Sequence, residues 1–168
     1  MASSAGAAKE PSAPPTVLVT GACGFLGSHC VWLLLHCGFN VRGTTRNVDS
    51  PKAEELLTLV DSLRLPASQF ELVASDDLSD GGGWRGLLRG CRYCIHTACP
   101  DMLYEMDDAS AVVTPAVIGV RSLLMVSRMS PEMSAVAHRI PCTELLPEPA
   151  RGCCNDIVYS CWCVPACC

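Results

Sequence analysis

Thr16-Val17-Leu18-Val19-Thr20-Gly21-Ala22-Cys23-Gly24-Phe25-Leu26-Gly27 is the stretch that decides the fold. Its first five residues form a short β-branched apolar run between Pro15 and Gly21, the pattern of a buried strand. From Phe25 to Cys37 the chain is apolar on most sides and stops at Gly38, as a helix does. Glycines at every third position lie between the two. Gly21 permits a tight turn, Gly24 leaves the backbone bare, and Gly27 lets the helix pack close to the strand. The start of such a helix presents unpaired N–H groups and a partial positive charge, which suits a pyrophosphate.

The same alternation continues outward. Asn40–Thr45 reads as a second strand. Pro51–Leu63 reads as a helix, with Ser50 as N-cap, proline at its start and leucines at helical spacing. Phe70–Ser75 is a third strand, Gly83–Leu88 a short helix, and Arg92–Thr97 a fourth strand. Asp108–Arg128 is a long helical pattern that Pro115 either starts or kinks. Strands alternating with helices predict an α/β fold: parallel βαβ units with right-handed crossovers and helices on both faces.

Beyond Met129 the pattern stops, and Pro131, Pro141, Pro147, Pro149 and Pro165 interrupt every candidate element. The expected organisation is a flexible leader over 1–15, a nucleotide-binding half-domain over 16–128, and an irregular Cys/Pro-rich tail over 129–168. Four strands in the order 3-2-1-4 would leave the fourth as an exposed edge. Such an edge invites self-association and lowers stability when no nucleotide is bound.

Composition narrows the function. The chain has 168 residues, 49% of them hydrophobic and 17% charged, which fits one globular domain and not a disordered segment. A net charge of -5 argues against nucleic acid as a partner. No apolar run is long enough to span a membrane, and residues 1–15 have no apolar signal core. The 13 cysteines do not read as a disulfide framework. Cys23, Cys30, Cys37, Cys91, Cys94 and Cys99 sit inside ordinary helix and strand patterns, where a free thiol acts as a small hydrophobe. With no secretion signal, a reducing cytoplasmic setting is the expectation. In the tail, Cys161-x-Cys163, the pairs Cys153–Cys154 and Cys167–Cys168, and His138 offer only a weak zinc pattern, because regular C-x-x-C knuckles are missing. No metal site is assigned.

The glycine spacing G-x-x-G-x-x-G, with the residues after it, resembles the extended short-chain dehydrogenase/reductases. VTGACGFLGSHCVWLLLHCGFNVRGTTRN at 19–47 is most similar to the branch of dihydroflavonol and cinnamoyl-CoA reductases. FELVASDDLSD, GWRGLLRGCRYCIHTACP and VVTPAVIGVRSLL follow in the family's order, so the resemblance runs from about Thr16 to about Val126. It implies a Rossmann-type sheet and a dinucleotide cofactor, with Gly21, Gly24, Phe25, Leu26 and Gly27 at the cofactor.

In relatives that bind NAD an acidic residue ends the second strand, whereas here the strand ends with Arg46. A guanidinium can pair with a 2′-phosphate that a carboxylate would repel. NADP(H) is therefore the expected cofactor, with Lys52 as a second cation. Asp49, close by, keeps NAD(H) as the alternative. Arg42, on the other side of the strand, is a weaker candidate. The resemblance also places Asp76 or Asp77 at the adenine edge, and Thr97 and Ala98 of the H-x-A-x-P segment along the cofactor. His96 is read as a core histidine.

Catalysis in this family resembles a relay from a tyrosine, assisted by a lysine four residues on and a serine from the next strand. The only lysines here are Lys9 and Lys52. Tyr93, Tyr104 and Tyr159 are followed four residues later by Thr97, Asp108 and Cys163. No catalytic residue is assigned, and a C-terminally truncated or frame-shifted reductase is the expectation. A non-catalytic nucleotide- or partner-binding remnant and a Cys-rich metal module are the rival readings.

Overall fold

Parallel pairing organises every strand of the computed structural model, which describes residues 13–75, 81–98 and 110–138. Strand β1 (Thr16–Thr20) leads into helix α1 (Phe25–His36). Then come β2 (Asn40–Thr45), α2 (Pro51–Ser62), a single 3-10 turn at Ala67–Gln69, and β3 (Phe70–Ala74). Helix α3 (Gly81–Leu88), β4 (Cys91–His96), α4 (Ser110–Arg128) and β5 (Ala135–His138) complete the described chain. The sheet order is β3-β2-β1-β4-β5.

The expected order 3-2-1-4 is present, and a fifth strand extends it. Two expectations are corrected by this. Residues 135–138 lie in a region read from the sequence as irregular, and β4 is not an edge. Tyr93 to His96 run beside Ala135 to His138, and the Ser134 N–H donates to the Arg92 carbonyl at 2.7 Å where the pairing begins. Four residues between prolines are too few to show a period of their own, and the ladder on β4 supplies the missing constraint. Pro115 lies inside α4, not at its start.

The local signals at α2 hold. Ser50 accepts a hydrogen bond from the Ala53 N–H at 3.2 Å, and Pro51 occupies the first turn. After α2 the backbone turns left-handed at Arg64, with φ of 53°. That conformation ends helices readily when the residue is glycine.

Alternation along β1 splits the core into two layers. Val17 and Val19 pack with Ala22, Val31, Leu35, Val41 and Leu56 on one face of the sheet. Leu18 points the other way, into Trp84, Leu88, Cys91, Cys94, Leu123 and Val136. Each fully buried side chain of this size contributes about 1.5–3 kcal/mol relative to exposure. Cys91 and Cys94 are core residues, as the sequence suggested, and Cys23 and Cys30 are half-buried, whereas Cys37 is exposed and Cys99 lies outside the described residues. Burial pushes the Cys94 thiol far above its ordinary value, and neighbouring Cys91 adds to the effect. Among the described residues no helix is long and apolar enough to cross a membrane.

Candidate dinucleotide site

In a parallel sheet all strands finish on the same edge, and here that edge gathers the candidate residues. Thr20 at the end of β1 lies beside His96 at the end of β4, and Thr45 at the end of β2 lies beside Ala74 of β3. Ligands of open α/β sheets sit outside this edge, at the point where the order of successive strands reverses. Here the switch falls between β1 and β4.

The glycine turn is fixed by lack of space. Gly21 has φ of 65°, and a Cβ placed there would lie 3.0 Å from the Ala98 Cα. A Cβ on Gly27 would lie 2.1 Å from the Gly21 carbonyl oxygen, so α1 can start here only with glycine at that position. The Gly24 N–H donates to the Gly21 carbonyl at 2.9 Å and closes the turn. The first helical bond of α1 runs from the Ser28 N–H to the Gly24 carbonyl at 2.9 Å. The amides of Phe25, Leu26 and Gly27 therefore lie in the turn that has no intrahelical acceptors. No side chain caps this end, and its first turn contains no acidic residue. Phe25 is 84% exposed beside it, and Leu26 is half-buried.

Behind the turn lies a polar clasp. The buried Thr20 hydroxyl is 2.7 Å from His96 Nδ1 and accepts the Ala98 N–H at 3.2 Å. The Thr97 hydroxyl donates back to the Thr20 carbonyl at 2.6 Å. The Ala22 N–H donates to the Thr44 carbonyl at 2.9 Å, which ties the turn to β2. The sequence reading placed Thr97 and Ala98 at this edge, and there they are. It missed Thr20 and Gly43. A Cβ on Gly43 would lie 2.8 Å from the Ala22 Cβ, and a glycine inside a strand is the signal of such a close approach. His96 is buried, with its ring edge-on to Trp84 at 5.6 Å, as a core histidine should be.

The end of β2 is of another kind. Arg46 is the first residue past the strand, Lys52 lies in the first turn of α2, and both are exposed. Asp49 is exposed between them, its N–H on the Asn47 Oδ1 at 2.9 Å. Arg42 is engaged elsewhere. Its Nε donates to Glu71, and its Nη1 reaches the carbonyls of Leu87 at 2.8 Å and Arg89 at 2.7 Å. It thus holds the α3–β4 connection, in keeping with its weaker candidacy. Asp76 and Asp77 lie outside the described residues, as do Lys9, Tyr104, Tyr159 and the cysteines of the tail. Tyr93 is half-buried in β4, edge-on to Phe39 at 6.5 Å. No group of acidic, histidine and cysteine side chains that could hold a metal occurs among the described residues.

The donor set fits a phosphorylated dinucleotide: uncapped amides at a helix start, a turn with no room for side chains, and cations past the neighbouring strand. Comparison with known proteins agrees. The family model described as GDP-mannose 4,6 dehydratase matches residues 18–140. The chain is 39% identical over 108 residues to cinnamoyl-CoA reductase 1 of Petunia hybrida, covering 64% of this chain and 30% of the relative. It is 36% identical over 118 residues to a dihydroflavonol 4-reductase of Callistephus chinensis, covering 69% of this chain and 30% of the relative. The chain thus spans 30% of the length of each of these relatives. Among solved structures, Gre2 of Candida albicans in complex with NADPH superposes with a TM-score of 0.63 at 26% identity, over 75% of this chain and 37% of the other. The sequence resemblance, the sheet order and the turn converge, and the chain belongs to the GDP-mannose 4,6 dehydratase family, within the extended short-chain dehydrogenase/reductases.

Proposed function

We propose that this chain binds NADP(H) at the β1–α1 turn and is the cofactor-binding portion of an oxidoreductase that interconverts carbonyl and alcohol groups. The observation that carries the reading is the uncapped start of α1 above a turn in which Gly21 and Gly27 have no room for a Cβ. Amides of Phe25, Leu26 and Gly27 would hold the pyrophosphate. Arg46, with Lys52, would pair with the 2′-phosphate, and Ala98 would form the floor. When bound, the cofactor supplies the hydride for such chemistry. The NADPH complexes of the Candida albicans and yeast reductases support the choice of cofactor.

The nucleotide-binding unit proposed here covers residues 16–128, and β5 beyond it adds the fifth strand of the sheet. The free cysteines suit a reducing, cytoplasmic setting. A second reading rests on a specific observation, that no tyrosine of the sequence is followed four residues on by lysine. On that reading this chain binds nucleotide, or a partner through a sheet edge, without reducing a substrate.

Titration of the purified chain with NADPH and with NADH tests the proposal. Saturable binding that prefers NADPH is expected, with affinity reduced about tenfold in Arg46→Ala, as fits loss of one charge-assisted pair. Equal affinity for the two cofactors in the wild type would rule out the role given to Arg46. Binding of neither would end the cofactor assignment.

A further inference from the structure

Thr20, His96 and Ala98 meet behind the glycine turn. Both side chains are deeply buried, Thr20 fully and His96 to within 6%. The Thr20 oxygen accepts the Ala98 N–H at 3.2 Å and lies 2.7 Å from His96 Nδ1. A hydroxyl has one proton and two lone pairs. With one lone pair on the Ala98 amide, the proton is best placed by donation to Nδ1. That makes Nδ1 the acceptor and puts the ring proton on Nε2.

We propose that His96 is a positioning residue for the dinucleotide site: by accepting the Thr20 hydroxyl proton it orients Thr20 toward the Ala98 amide, and so holds the floor beneath Gly21. The clasp acts at the point of tightest fit. Ala98 is the residue that a Cβ on Gly21 would strike, at 3.0 Å from its Cα and 3.1 Å from its nitrogen. A floor that shifts by a few tenths of an ångström therefore moves the wall against which the turn is built. Thr97 ties the same two segments from the other side, through the Thr20 carbonyl at 2.6 Å. The inference rests on the reading of the turn as a nucleotide site, and the test separates the two.

The variants are Thr20→Val, which keeps the shape and removes the hydroxyl, and His96→Leu, which removes the acceptor. His96→Asn is the conservative control, because its Oδ1 falls near the place of Nδ1. The Thr20→Val/His96→Leu double variant completes a cycle. Calorimetry should give an NADPH affinity about tenfold weaker in each single variant and no weaker in the double, as expected of one shared hydrogen-bonded unit. His96→Asn should recover affinity to within about twofold of wild type. Additive losses, or lowered melting temperatures with unchanged NADPH affinity, would overturn the proposal and leave His96 a core residue only.

Amide hydrogen exchange decides the matter where affinity is silent. Protection of the Ala98 and Gly24 amides should fall together in Thr20→Val and in His96→Leu, and return in His96→Asn. If the wild-type chain binds no nucleotide yet shows this coupled pattern, the clasp stands and the cofactor reading fails. If Ala98 protection ignores both substitutions, or fails to return in His96→Asn, the clasp itself is refuted.

Discussion

The glycine turn and the end of β2 lie at the same edge of one sheet, yet they are built in opposite ways. At the turn the backbone is closely packed: Gly27 against Gly21, Gly21 against Ala98, Ala22 on Thr44. At the end of β2, Arg46 and Lys52 are exposed. One region is shape and the other is charge. Errors in the first disturb the fold itself, whereas errors in the second change only what is bound. On the proposed function, the turn sets whether a dinucleotide fits and the β2 end sets which one.

The largest expected effect breaks the turn. Gly27→Ala forces a carbon to 2.1 Å from a backbone oxygen, so helix or turn must move. A loss of about 3 kcal/mol or more in urea unfolding is expected, with NADPH binding abolished. A wild-type midpoint would mean that the turn is as pliant as the β2 end. Next, Arg46→Asp should leave the unfolding midpoint in place and shift the preference from NADPH toward NADH by about a hundredfold, read by paired titrations. A fall in stability as large as that of Gly27→Ala would dissolve the contrast between the regions.

A pH series tests the core behind both regions. Burial holds the Cys94 proton in the folded state above the ordinary thiol value of 9.0. The unfolded chain loses that proton first, so stability is full below this value and declines as pH rises above it. Urea midpoints at about pH 8 and about pH 10 should differ in that direction, and Cys94→Ala should reduce the difference, with the half-buried Cys30 and buried Cys91 thiols, also raised by burial, supplying the remainder. The smallest effect lies at the end of α2. Arg64 sits at φ 53°, and Arg64→Gly should raise stability by about 0.5–1 kcal/mol without changing cofactor preference.

The contrast also explains what the sequence could tell. The turn was legible because glycine leaves few alternatives: three at fixed spacing, between an apolar strand and an apolar helix, describe one shape. Strand β2 and the Ser50 cap were legible for similar local reasons. Arg46 was placed by its position past a strand, but its role needed the family's chemistry and not its spacing. Strand β5 was hidden because AVAH has no signal apart from its partner, and Pro131 and Pro141 on either side argued for a loop. The clasp was hidden more deeply. Thr20 and His96 are 76 residues apart, and each reads alone as an ordinary strand-end residue. Gly43 did carry a visible mark, a glycine inside a strand, that went unread.

The pairing of β1 with β4 has a consequence for the birth of the protein. The turn is made early in synthesis, but the amide that completes its floor belongs to a residue 78 positions later. Closing so long a loop costs chain entropy that no local contact returns. A nascent chain can therefore form α1 and its glycines while still on the ribosome and have no site at all. Nucleotide affinity in this fold reports on a long-range pairing, and a ligand present during translation would favour only chains that have already closed it.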